Sequence, residues 1–118
     1  EEEVRLLREM VEADNALKEH PAALSRANRR FHKQIHLASH NRFLVQQLDL
    51  VHRSMALMAT TSLAVVGRGA IAQEEHDRIV SAIEARDGDA ADAALRAHIS
   101  VAFTTRLKQE AARREAEN

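Results

Sequence analysis

The chain has 118 residues, enough for one domain with a modest core. Its 17 Lys and Arg against 18 Asp and Glu leave a net charge of −1, which argues against a surface built mainly for nucleic acid or an anionic membrane. With no cysteine, disulfides, thiolate zinc sites and a cysteine nucleophile are excluded. Three glycines, one proline and no Tyr or Trp, in a chain rich in Ala, Leu, Glu and Arg, favour helix over sheet. The breakers divide the chain in order. A first helix is expected over 2–18. Pro21 suits the first turn of a second over 21–40, with Asn41 as its left-handed cap. A third runs over 42–64. Gly67-Arg68-Gly69 reads as a loop before a fourth over 70–86. Asp87-Gly88-Asp89 reads as a turn, with Asp89 capping a fifth helix over 89–114 and a charged tail that frays from Arg113. Short connections imply antiparallel neighbours, so the expected fold is a single all-α antiparallel bundle of about five to six helices over 1–118.

No run approaches the roughly 18 apolar residues of a membrane span, and Glu1-Glu2-Glu3 is unlike the start of a signal peptide, so no membrane contact and a cytoplasmic location are expected. The third helix carries two apolar strips, one of Leu44, Leu48, Val51, Met55 and Met58 and one of Phe43, Leu50 and Leu57. Such a girth suits a helix central to the bundle or one that also meets a partner subunit.

Seven histidines are a rich supply of a side chain that serves as ligand, proton carrier or plain polar group. At 100° per residue, Asn28 and His32 fall about 60° and 100° from Phe31, on the border of the stripe Leu24, Ala27, Phe31, Ile35, Ala38. His36 and His40 turn outward, and His20 sits in the loop before Pro21. His52 lies at the edge of its stripe with no co-ligand one turn away. His76 falls within the apolar arc of Ala72, Ile79 and Ile83. His98 falls on the apolar side of Ala91, Leu95, Ile99 and Ala102, broadened by Ala94. Read singly, each inward imidazole is an ordinary core residue with a hydrogen-bond partner. Read together, three helices each send one imidazole inward, where polar partners are few, and a shared divalent cation would satisfy all three. No His-Glu-x-x-His, paired Glu-x-x-His, phosphate loop or nucleophile elbow occurs, so the common helix-borne hydrolase and di-iron patterns are absent.

The strings Asn28-Arg29-Arg30-Phe31-His32 and Ala38-Ser39-His40-Asn41 resemble a "D/N-x-x-F-H … A-S-x-N" pattern. Glu75-His76, Ile79 and Ala82-Ile83 resemble "E-H-x-x-I-x-x-A-I", and Gly88-Asp89, Ala93 and His98-Ile99 resemble "G-D-x-x-x-A-x-x-x-x-H-I". In this order and spacing, from about Ala23 to Leu107, the chain resembles the FadR-type C-terminal ligand-binding domain (FCD) of GntR-family transcription regulators. The resemblance implies a helical bundle that senses a small organic acid, forms a homodimer, is not an enzyme, and touches DNA only through a winged helix-turn-helix domain absent from this chain. It implies a divalent metal, zinc first with nickel or manganese as alternatives, on Asn28, His32, His76 and His98. Asn28 stands where many members have Asp; a neutral amide offsets less cation charge and binds more weakly. The family's first effector-domain helix, which often carries an arginine to the ligand, is expected to be missing, with Arg5 too near His32 in sequence to replace it. The chain is thus expected to be a piece of a longer regulator. Arg53 aligns loosely with a basic cavity position, where an Arg could clamp a carboxylate, although its wheel position opposite Leu44 also suits a solvated arginine. Thr61, with Thr60 and Ser62, offers hydroxyls to a ligand or to its own backbone. Glu75 is either a partner that orients a histidine or a surface glutamate. The rival readings are a metal-dependent hydrolase with a three-histidine site and a metal-free structural bundle.

Overall fold

The computed structural model describes residues 1–55 and 62–117, and the described residues are helical with no strand. The helices are α1 (Glu2–Asp14), α2 (Pro21–Ala38), α3 (Arg42–Met55), α4 (Arg68–Glu84) and α5 (Gly88–Glu117), with 3-10 turns over Asn15–Leu17 and Ser62–Ala64. The all-α bundle expected from composition is the fold observed.

The caps differ from expectation in ways the backbone explains. Pro21 opens α2 as its first residue, where a missing N–H costs nothing. The left-handed residue after α2 is His40 (φ 57°), not Asn41. Asn41 instead caps α3: its Oδ1 accepts from the Leu44 N–H at 3.1 Å, satisfying one of the orphan donors of a helix start. The turn before α5 repeats this arrangement. Arg86 takes the positive φ (58°), and Asp87, not Asp89, accepts from the Ala90 N–H at 3.0 Å. The charged tail does not fray at Arg113; α5 continues to Glu117, with Arg113 paired to Glu110 (2.9 Å) and Glu117 (3.3 Å). The third helix ends its described span at Met55 rather than 64, and Ser62–Ala64 is a separate 3-10 turn.

The expected loop Gly67-Arg68-Gly69 is the start of α4. Gly67 supplies the left-handed cap (φ 80°) and Arg68 is already helical. Gly69 has a second reason to be glycine. A Cβ there would meet the Lys18 carbonyl oxygen and lie 2.9 Å from Leu24 Cδ2, so the missing side chain lets α4 close onto the chain ahead of α2.

That approach makes α4 the central helix. It packs against α1, α5 and both 3-10 turns, and it buries Arg68, Gly69, Ala72, Gln73, Glu75, His76, Ile79 and Val80. The third helix is not central: it packs on α2, with Phe43 74% and Leu50 61% exposed. Val51, His52 and Met55 (as side chains) and Leu57 and Met58 lie outside the described set. One core cluster joins Leu7, Val11, Phe31 and Val80, and a second joins Leu24, Leu63 and Ala72. The Gln73 amide donates to the Val11 carbonyl at 3.1 Å and to Asn15 Oδ1 at 3.3 Å, tying α4 to the end of α1. On the outer side Arg8 donates to Glu84 (2.8 Å), Ser81 (3.0 Å) and Asp77; these bonds hold its guanidinium above the ordinary arginine range. Ile99, expected on the inner stripe of α5, faces out instead. No described helix is long and apolar enough to cross a membrane.

Candidate metal centre

Three neighbouring helices supply the site. His32 follows the core residue Phe31 on α2, His76 sits between the buried residues of α4, and His98 is the buried residue of α5. One ring nitrogen from each lies within 4.8 Å of the others. The rings of His32 and His98 are stacked (centroids 5.2 Å apart, 14° between planes). His76 stands edge-on to both, at 82° and 69°. Phe31 stacks on His76 at 4.4 Å, so the apolar core continues into the imidazole cluster.

Two features make this donor set suit a cation. First, His98 Nδ1–H donates to Glu75 Oε1 at 2.7 Å. That bond fixes the tautomer and leaves the Nε2 lone pair facing His32, with the two Nε2 atoms 3.3 Å apart. Zinc held tetrahedrally at about 2.0–2.1 Å from each imidazole places its ligand nitrogens about 3.3–3.4 Å apart. Second, His76 Nε2 is buried without a hydrogen-bond partner, a state that costs on the order of 1–3 kcal/mol unless something takes its lone pair. Burial, then the fields of His32, His98 and Arg68, push His76 down to about 2. Burial also lowers His98, partly opposed by its bond to Glu75. These two rings are therefore neutral near pH 7, the form that coordinates metal.

Asn28 lies one turn before His32 on α2 and is half-buried, the helical spacing that brings i and i+4 to one side. His36 is half-buried rather than turned fully outward. His20 and His40 are exposed, and His40 pairs with Glu3 at 3.0 Å. Arg5 is exposed and pairs with Glu2. Arg53 is exposed on α3. Thr61 and Thr60 lie outside the described residues. Of the two readings open for Glu75, the structure selects the orienting one: it is 8% exposed and holds His98.

One participant is not among the residues singled out from the sequence. Arg68 is 4% exposed, and its Nη1 lies 2.8 Å from the same Glu75 oxygen that accepts from His98. A charged residue between two glycines reads as solvated loop; only the packing of α4 reveals it as interior. A seven-residue step, two helical turns, does place Arg68 and Glu75 on one face, and that spacing was the available clue.

The FCD domain family model matches residues 1–101. No curated protein and no solved structure matches the chain. The matched span starts upstream of Ala23, where the motifs first become legible. It takes in α1, Glu75 and all three clustered histidines. The chain belongs to the FCD family, whose domains are found in transcription regulators.

Proposed function

We propose that this chain is the effector-sensing and dimerisation unit of a GntR-type regulator, and that it holds a divalent metal, zinc first, on Asn28, His32, His76 and His98. The observation that carries the reading is the convergence of three imidazoles around a buried, unpartnered His76 Nε2. The bound metal would supply a Lewis-acidic centre with open positions for the carboxylate of a small organic acid. His32, His76 and His98 hold it, Asn28 adds a neutral oxygen, Glu75 fixes the His98 ring, and Phe31 excludes water beneath His76. Arg53 and Thr61 are proposed as further effector contacts. DNA would be reached through a separate domain, in the cytoplasm. Homodimer formation is supported by the exposed stripe Ile99, Phe103 and Leu107 on α5, three apolar residues four apart on one helix face. An effector shifts the regulator only by binding one subunit arrangement better than another.

A hydrolytic site would need a free base beside the metal. Glu75, the buried carboxylate at the cluster, is already engaged by Arg68 and His98, so the binding role is the better supported one.

The test is elemental mass spectrometry on protein purified without a histidine tag or chelator. About one divalent ion per chain is expected, reduced at least tenfold in affinity in H76A, with a melting temperature that falls on chelation. A metal-free protein whose melting is indifferent to chelator would instead be a structural bundle.

A further inference from the structure

The ion pair at the edge of the cluster is incomplete. Arg68 is a buried guanidinium, a cation with five N–H donors and no acceptor. Its Nη1 is paired with Glu75 Oε1 at 2.8 Å but makes no well-formed hydrogen bond, and its Nε has no acceptor at all. A buried cation with idle donors is an expensive arrangement unless an acceptor arrives. These donors lie beside the metal centre: the Glu75 oxygen that faces Arg68 is the one bonded to His98.

Charge bookkeeping points the same way. Glu75 cancels Arg68, and the Asn28 amide and any imidazole that lends its lone pair to a cation are neutral. A divalent cation added to this set leaves two positive charges uncompensated in a buried place. An Asp at position 28 would remove one of them; Asn28 removes none. Charges buried in low dielectric require partners.

We propose that Arg68 is a specificity-determining anion receptor of this site and that the effector is a small dianion, a dicarboxylate. One acid group meets the metal and the other takes the free donors of Arg68. The inference rests on the metal reading above and adds to it a residue and a ligand class. The alternative role for Arg68, neutralising Glu75 and nothing more, predicts no preference between one acid group and two.

The experiment uses the zinc-loaded chain and length-matched pairs: malonate with propionate, succinate with butyrate, glutarate with valerate. Affinity is read by titration calorimetry and, independently, by thermal shift. At least one dicarboxylate is expected to bind tenfold or more tightly than its monocarboxylate mate, and R68Q is expected to erase that ratio while retaining zinc. R68K, which keeps the charge, should restore part of it. Equal binding within every pair, no binding by any dicarboxylate, or a ratio unchanged in R68Q overturns the proposal. So does an R68Q chain that no longer takes up zinc, which would assign Arg68 to support of the metal. Failure of the metal reading is separate, because it appears as absence of zinc uptake by the parent chain before any acid is added.

Discussion

At the scale of single residues, the centre is governed by which nitrogen of each ring is occupied. His98 spends its Nδ1 proton on Glu75 and is left with one lone pair to give. His76 has a buried nitrogen with no hydrogen-bond partner, on a ring stacked against Phe31. The same burial makes the metal-free protein acid-sensitive. Folding lowers His76 from its ordinary value of 6.5 to about 2. Between those values the unfolded chain binds a proton that the folded chain refuses. Stability is therefore flat above pH 6.5 and falls as pH drops below it. From pH 7.5 to pH 5, His76 alone should remove about 2 kcal/mol. Urea titrations of chelated protein at the two pH values check this. H76F should reduce the dependence to what His98 and the other groups leave, and equal midpoints for the parent at both values would refute it.

At the scale of elements, α4 decides the architecture, and Gly69 decides how closely α4 can lie against its neighbours. G69A should lower the melting temperature by several degrees, as a methyl group forced against the Lys18 carbonyl and Leu24 costs about 1–3 kcal/mol. G88A is the control: nothing lies within 4 Å of the added carbon and no positive φ is required, so it should be neutral or slightly stabilising. If the two variants melt alike, the close approach is not limiting.

The same element shows what a sequence can and cannot disclose. His76 was legible because Ala72, Ile79 and Ile83 define an apolar arc and the residue falls inside it. His98 and His32 followed by the same geometry, and that a helix begins near Pro21 followed from its fixed φ. The apolar girth of α3 leaves open whether that helix is central or meets a partner subunit, and the packing removes the first reading: the small residues of α4 permit the closest approach and put α4 at the centre. Arg68 was missed because its burial depends on where Glu75 lies across two turns of a helix whose start was placed too late. Which residue of a turn takes the left-handed conformation, His40 or Asn41, is set by where the next helix needs its cap.

At the scale of the whole molecule, the bundle is uneven. One end is well packed around Phe31 and α4, while the outer face of α5 carries Ile99 (59% exposed), Phe103 (63%) and Leu107 (55%). A helix of 30 residues is about 45 Å long, close to the 51 Å long axis of the protein, so the stripe lies on a rod as long as the molecule. Sedimentation velocity across a hundredfold concentration range should show a dimer that F103D converts to monomer without loss of helicity. A parent chain monomeric throughout would remove the dimerisation reading.

The three imidazoles lie on α2, α4 and α5, at positions 32, 76 and 98. No short stretch of chain contains two of these three, and Asn28 adds only a neutral amide one turn from His32, so two long loops must close before the imidazoles can converge on a cation. A cation held as proposed would be a late arrival, seated on a bundle already assembled. Its effect would then fall on how slowly the finished structure comes apart rather than on how fast it forms. In a cell, supply of the ion would set the lifetime of the folded chain and not the rate at which new copies appear.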